Sequence, residues 1–182
     1  VAFSTMLKPA GSACNLDCHY CYYLDKAVQY GGKQAVMSDE LLELYVRQYI
    51  EANDVDTVQF CWHGGEPLLL GVDFDEAWCD LFAGNNFLVG ISLDGPQDIH
   101  DAFRLTKGGK PTFERVMQTI GMFQRSGVEY NTLSVVNRLC EGRGGEIYRF
   151  FRDTVHSRYM QFLPAVEHVI DKPDFHRPLI VS

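Results

Sequence analysis

The chain has 182 residues, of which 46% are apolar and 22% charged, so its composition excludes a disordered tail, a collagen and a coiled coil. Its 24 acidic and 16 basic residues give a net charge of −8, which disfavours nucleic acid as a partner because phosphate backbones are repelled. No apolar run is long enough to span a bilayer, and the first residues lack a basic segment before an apolar stretch. We therefore expect a cytoplasmic protein, or a fragment of a larger one, with no membrane partner.

Short β-like runs alternate with helical runs along the chain. Five runs are predicted strands: residues 2–7, 55–62, 87–93, 128–136 and 159–163. Four runs with apolar residues at helical spacing are predicted helices: residues 39–50, 75–82, 112–125 and 146–155. Ser38 is the expected N-cap of the first helix, and Gly127 is expected to end the third. Such alternation predicts an α/β fold with right-handed βαβ units and a parallel sheet.

Parallel α/β folds place their functional sites at the carboxyl ends of the strands. Three unusual segments follow predicted strands in this chain: a cysteine-containing loop at residues 9–25, a glycine turn at residues 64–67, and residues 92–95. Their convergence on one rim predicts a functional site there.

Three of the six cysteines are crowded into eight residues: Cys14, Cys18 and Cys21. Thiolates are soft ligands that select zinc, copper(I) or iron–sulfur clusters. A closed cluster usually takes four cysteines, so three would leave one iron open to a small molecule. A zinc site completed by a histidine, such as His19, is the alternative. The remaining cysteines are interpreted as small buried hydrophobes: Cys61, Cys79 and Cys140.

The spacing C-x3-C-x2-C, with Tyr20 just before the last cysteine, resembles the signature of the radical S-adenosylmethionine enzymes. In that family the three thiolates hold a [4Fe–4S] cluster, and S-adenosylmethionine chelates the open iron. One electron then cleaves it to methionine and a 5′-deoxyadenosyl radical, which takes a hydrogen atom from the substrate.

Further segments narrow the resemblance to the anaerobic sulfatase-maturating enzymes, which convert a Cys or Ser of a sulfatase to formylglycine. The matching segments are residues 8–9, 21–26, 62–67, 87–96, 131–137 and 159–162. The resemblance implies a partial parallel (β/α) barrel of the radical SAM type, with about five strands. It also implies oxidoreductase activity on a sulfatase polypeptide or peptide, and an electron donor such as a flavodoxin or ferredoxin.

The same resemblance implies contacts to S-adenosylmethionine by seven residues: Tyr20, Gly64, Gly65, Glu66, Ser92, Arg104 and Met160. The glycine turn would meet the amino group, while Ser92 would bind the ribose or carboxylate. Arg104 suits a bidentate carboxylate contact. Tyr20 and Met160 would flank the adenine. Each group also has an ordinary structural interpretation, namely a tight turn, a strand-end serine, a solvated arginine or a core side chain.

Four neighbouring side chains receive other interpretations. Tyr22 and Tyr23 are candidates for the substrate path. Asp94 is interpreted as shaping its turn rather than doing chemistry, and His63 as a structural imidazole.

The sequence departs from the family in two places. The resemblance covers a core at residues 1–168 and leaves an irregular tail at 169–182. The family's C-terminal domain, with two auxiliary [4Fe–4S] clusters and the acid–base carboxylate, is expected to be absent, so no catalytic residue is assigned. Near residues 74–75 about one βα unit is missing, so strand pairing and turnover are both in question.

Three other functions remain open at this point. The chain could be another peptide-modifying radical SAM maturase, such as a thioether-forming enzyme. It could instead be a truncated, non-catalytic module that binds a cluster or S-adenosylmethionine. A structural zinc protein is the third alternative.

Overall fold

The computed structural model describes residues 3–21, 23, 36–65 and 76–165, and the chain divides into two compact units. The first unit comprises residues 1–17 and 21–73, and the second comprises residues 18–20 and 74–182. Parallel strands and helices alternate in both, which confirms the predicted α/β class.

The first unit is a two-stranded parallel sheet with one long helix. Strand β1 (Thr5–Leu7) pairs with β2 (Phe60–Trp62), and helix α1 (Asp39–Ala52) lies between them in the sequence. The predicted N-cap is confirmed, because the Ser38 side chain accepts the Leu41 amide at 3.3 Å.

Aromatic side chains join α1 to both strands. Tyr45 and Tyr49 stack with ring centroids 5.7 Å apart, and Phe60 meets Tyr49 edge-on at 5.1 Å. The Tyr49 hydroxyl lies 3.0 Å from the carbonyl oxygen of Phe3 and 2.9 Å from that of Gln59. One buried tyrosine therefore contacts the backbone just before each strand.

The second unit contains a three-stranded parallel sheet in the order β3–β4–β5. Its main elements are α2 (Glu76–Gly84), β3 (Leu88–Ser92), α3 (Gln97–Phe103), α4 (Phe113–Ser126), β4 (Glu129–Val136), α5 (Gly144–Arg149) and β5 (Tyr159–Pro164). Gly127 ends α4 in the left-handed conformation, with φ of 70°, as predicted.

The core of the second unit lies between its sheet and helices. Ile120 and Phe123 of α4 are 1% exposed and belong to one buried cluster with Ile91 of β3 and Phe151. A contiguous buried cluster of this kind fixes the positions of the side chains packed around it.

Several sequence predictions need correction. Helix α3 was not predicted, and the helix expected at residues 146–155 is α5 followed by a π-helix at Phe150–Thr154. The second predicted strand begins only at Phe60. Among the described residues, no helix is long and apolar enough to cross a membrane.

Candidate functional site

The three predicted metal ligands lie in a loop that is shared between the two units. Cys14 and Cys21 belong to the first unit and are half-buried, whereas Cys18 belongs to the second and is buried. None of the three forms a disulfide. The described residues contain no assembled group of three or more His, Cys, Asp or Glu side chains that could hold a metal ion.

The donor set nevertheless fits a thiolate-bound group. The backbone amide of Leu16 donates to Sγ of Cys14 at 3.4 Å. Such an N–H···S bond favours the thiolate, which is the form that binds metal. The three sulfurs thus have the chemistry that an iron–sulfur cluster requires.

The glycine turn packs directly against the loop that leads to Cys14. The amide of Gly65 donates to the Gly11 carbonyl at 3.0 Å. A Cβ on Gly65 would lie 2.0 Å from the Ala13 carbonyl oxygen, and one on Gly64 would lie 2.6 Å from that of Gly11. The two glycines are therefore required for close backbone packing. Their predicted contact with S-adenosylmethionine stays a prediction, and the predicted contact at Glu66 lies outside the described residues.

Lys8, Tyr23 and His63 form a second group in the first unit. Lys8 follows β1 and His63 follows β2, so both stand at the carboxyl ends of parallel strands. The Tyr23 hydroxyl lies 2.9 Å from Nδ1 of His63, and the Lys8 ammonium lies 5.1 Å from the Tyr23 ring centroid. Burial, and then the nearby Lys8 charge, lower the pKa of His63.

Because Lys8 and His63 lie at strand ends, this group is a candidate for a functional role, although the sequence favours a structural imidazole at His63. Tyr23 stays a candidate for the substrate path, and Tyr22 lies outside the described residues.

The residue whose role the sequence understated most is Asp94. The residue is 1% exposed, and its carboxylate accepts the Arg104 guanidinium with both oxygens, each at 3.0 Å. The amide of Val135 donates to Oδ1 at 2.9 Å, and the Tyr20 hydroxyl donates to Oδ2. Two residues past the end of β3, one carboxylate therefore joins the cysteine loop, β4 and the residue that follows α3.

Arg104 is buried rather than solvated. Burial opposes its charge, but the charge and hydrogen bonds of Asp94, together with the nearby Tyr20 and Cys18, outweigh burial and raise the pKa of Arg104. Because Nε and one Nη already bind Asp94, a cofactor carboxylate would find a single guanidinium nitrogen still uncommitted to Asp94. The contact between Arg104 and S-adenosylmethionine stays a prediction.

Asp94 and Arg104 are also linked through a closed ring of buried hydrogen bonds, here called the Asp94 ring. The Thr112 hydroxyl donates to the Arg104 carbonyl at 2.7 Å, so it accepts from Nε2 of His100 at 3.0 Å. Nδ1 of His100 accepts the Asp94 amide at 3.3 Å. Burial lowers the pKa of His100 to about 4, so the imidazole is neutral, as the ring requires.

The other predicted cofactor contacts are placed as follows. Tyr20 is half-buried in the second unit, and burial raises the pKa of its phenol, which remains a hydrogen-bond donor. Ser92 is the exposed last residue of β3. Met160 is half-buried on β5, where it packs against the core. Of these three, the structure joins Tyr20 alone to the Asp94 ring.

A cavity of about 230 Å³ lies at the carboxyl ends of the strands in the second unit, and Asp94, Val136 and Phe162 contribute to its lining. It is smaller than the roughly 300–1,000 Å³ of a typical small-molecule pocket.

The prediction that the remaining cysteines are buried is wrong for Cys61. This residue is exposed, as is its neighbour Trp62 on β2. It is confirmed for Cys79 and Cys140, which are buried.

Sequence comparison finds that the chain is similar to anaerobic sulfatase-maturating enzymes. It is 39% identical over 198 residues to the serine-type anaerobic sulfatase-maturating enzyme of Bacteroides thetaiotaomicron, covering 93% of this chain and 48% of that protein. It is 36% identical over 206 residues to the cysteine-type enzyme of Clostridium novyi, covering 96% of this chain and 54% of that protein. No protein-family model matches the chain.

Structural comparison gives the same relation. A solved structure described as native anSMEcpe with bound AdoMet and Cp18Cys peptide superposes with a TM-score of 0.81 at 26% identity, covering 98% of this chain and 55% of that one. Fold and sequence together confirm the predicted resemblance to the anaerobic sulfatase-maturating enzymes. The chain spans about half the length of the curated relatives it matches.

Proposed function

We propose that this chain is the S-adenosylmethionine-cleaving part of a radical SAM oxidoreductase of the sulfatase-maturating type. The observation that carries the proposal is the match over 98% of the chain to a structure described with bound AdoMet and peptide. The thiol spacing of the cysteine loop supports it independently, because three thiolates suit a cluster with one open iron.

Cys14, Cys18 and Cys21 would hold a [4Fe–4S] cluster. The chemistry that such a cluster supplies is one-electron reductive cleavage of S-adenosylmethionine, which prepares hydrogen abstraction from the substrate. The chain's own residues would bind and orient the cluster and S-adenosylmethionine. The Gly64–Gly65 turn packs against the residues that precede Cys14. Tyr20, which lies between Cys18 and Cys21, is hydrogen-bonded to Asp94.

The substrate that we propose is a peptide segment of a sulfatase. Its support is that two of the relatives are a serine-type and a cysteine-type anaerobic sulfatase-maturating enzyme. We further propose a partial barrel of the radical SAM type, a low-potential electron-transfer protein as the donor, and a cytoplasmic location.

A second candidate function is a cluster- or S-adenosylmethionine-binding module without turnover. The alignment to the Bacteroides enzyme runs over 198 residues, whereas 93% of this chain is about 169 residues. The difference, about 30 positions, is comparable in size to a βαβ motif and accords with the proposed internal deletion, which the sequence places near residues 74–75. That position lies outside the described residues.

Anaerobic reconstitution with iron and sulfide tests the proposal first. We expect about four irons per chain and a brown protein in the wild type, and neither in Cys18→Ala. Cys61→Ala is the matched control, because Cys61 is an exposed thiol outside the motif and its loss should leave iron unchanged. Retained iron in Cys18→Ala, or a colourless protein that holds zinc, would contradict the proposal.

Turnover separates the two candidate functions. Reduction by dithionite with S-adenosylmethionine should yield 5′-deoxyadenosine, and mass spectrometry should detect formylglycine in a Cys-x-Pro-x-Arg peptide or its serine counterpart. An iron-loaded protein that releases no 5′-deoxyadenosine would support the non-catalytic module. Cleavage of S-adenosylmethionine without formylglycine would remove the sulfatase substrate and favour another peptide-modifying maturase.

A further inference from the structure

We propose that Asp94 is a positioning residue for Cys18, acting through Tyr20. The inference concerns how the second unit holds residues 18–20. Its consequence for cluster binding by Cys18 rests on the proposed function. The carboxylate of Asp94 is the anchor, the Tyr20 phenol is the arm that reaches it, and Cys18 is the ligand whose position the arm fixes.

Four contacts hold residues 18–20 in the second unit, one to Asp94 and three to Phe103 at the end of α3. The Tyr20 hydroxyl donates to Asp94, and the His19 amide donates to the Phe103 carbonyl at 3.2 Å. The Phe103 ring lies 5.9 Å from the Tyr20 ring and 6.2 Å from that of His19. These contacts accord with the division of the chain, which assigns residues 18–20 to the second unit and their flanking residues to the first.

Asp94 is a rigid anchor because the Asp94 ring and β4 hold it on several sides. Arg104 occupies both of its oxygens, and the Val135 amide binds one of them. On the backbone side, the Asp94 amide is held by His100. A hydrogen bond to a carboxylate fixed in this way confines the phenol to one position, whereas a mobile carboxylate would follow it.

The Tyr20 ring is oriented as well as anchored. The Arg104 guanidinium carbon lies 5.4 Å from the centroid of the Tyr20 ring, so one buried cation contacts both the arm and its anchor. Neither Asp94 nor Arg104 needs to touch a cofactor for this role. A loop that is fixed before metal arrives loses less conformational entropy on binding, which favours retention of the metal.

Hydrogen exchange on the apoprotein tests the arm without any cofactor. Tyr20→Phe removes one hydroxyl and keeps the ring contacts. We expect the His19 amide, which binds the Phe103 carbonyl, to exchange roughly ten- to a hundredfold faster, the factor that corresponds to a lost hydrogen bond to a charged group. Tyr130→Phe is the matched control, because Tyr130 also donates a buried phenolic bond, to the Val155 carbonyl at 2.5 Å. It should leave the His19 amide unchanged.

Cluster retention tests the consequence for Cys18. After equal anaerobic reconstitution, iron loss to a chelator should be faster in Tyr20→Phe than in both wild type and Tyr130→Phe. Unchanged exchange of the His19 amide in Tyr20→Phe would overturn the role of Tyr20 in holding residues 18–20. Faster exchange with unchanged iron loss would overturn the consequence for Cys18. A wild type that takes up no iron would overturn both the proposed function and the consequence for Cys18. The exchange result would still decide whether Tyr20 holds residues 18–20 in place.

Discussion

The two units of the chain hold their chemistry-bearing residues by different means. In the second unit, Asp94 and its partners are surrounded by a contiguous core in which Phe123 and Phe151 are almost fully buried. In the first unit, the strands are three residues long, and Phe3, Met6 and Trp62 are between 40% and 57% exposed. The second unit can therefore support a buried ion pair, whereas the first depends on close backbone packing and local hydrogen bonds.

Loss of the buried carboxylate is the largest effect that we expect. Asp94→Ala leaves the Arg104 guanidinium buried without its counter-charge, which should lower the free energy of unfolding by about 3–5 kcal/mol. Urea unfolding followed by circular dichroism measures the loss. The control is Arg143→Ala in the same unit, which removes exposed pairs with Asp98 and Glu146 and should cost far less. Equal losses in the two variants would contradict the contrast between buried and exposed pairs.

The Asp94 ring should also make stability depend on pH. His100 has a pKa of about 4 in the folded protein against 6.5 ordinarily, so between these values the unfolded chain binds more protons. Stability should therefore fall by about 3 kcal/mol as the pH drops from 6.5 to 4. Protonation of Nδ1 would place its hydrogen against the Asp94 amide donor.

Unfolding at several pH values, compared with the variant His100→Gln, isolates this contribution. The groups that act on His100 are Asp94 and Asp101, which raise its pKa, and Arg104, which lowers it. The variant should lose most of the slope between pH 4 and 6.5, whatever its stability at neutral pH. An unchanged slope would show that His100 does not carry the dependence.

Close packing in the first unit predicts a smaller loss. Gly65→Ala would place a Cβ 2.0 Å from the Ala13 carbonyl oxygen, so the loop leading to Cys14 must move. We expect a cost of about 1–3 kcal/mol, as for overpacking elsewhere, together with reduced iron uptake. Gly84→Ala, at the end of α2, has nothing within 4 Å of its Cβ and should be almost neutral in both measurements. A similar loss at both glycines would contradict the packing role of Gly65.

The comparison of sequence with structure divides along the same line. The strands β3 to β5, the N-cap at Ser38 and the left-handed Gly127 follow local patterns, so they were predicted to within a few residues. The class of chemistry followed from cysteine spacing and resemblance, which need no knowledge of contacts.

The Asp94 ring could not be predicted in this way. Its members are separated by up to 18 positions, and α3, which sets the distance from Asp94 to Arg104, was missed. The local signals were present, namely a proline that begins the helix and Asp98 in its first turn. Polar residues at a strand end are common in turns, however, so only tertiary packing shows that Asp94 binds Arg104 rather than solvent.

The smallest expected effect tests whether local bonds stabilise the first unit. Ser38→Ala removes the side-chain acceptor for the Leu41 amide and should cost about 1 kcal/mol. Because the loss arises at the start of α1, hydrogen exchange should accelerate at the α1 amides and remain unchanged at those of α4 in the second unit. Ser38→Asp keeps an acceptor at the helix N-terminus and should restore the wild-type rates. Equal acceleration in α1 and α4 would mean that the two units share one unfolding transition, and the contrast between them would then describe geometry but not stability.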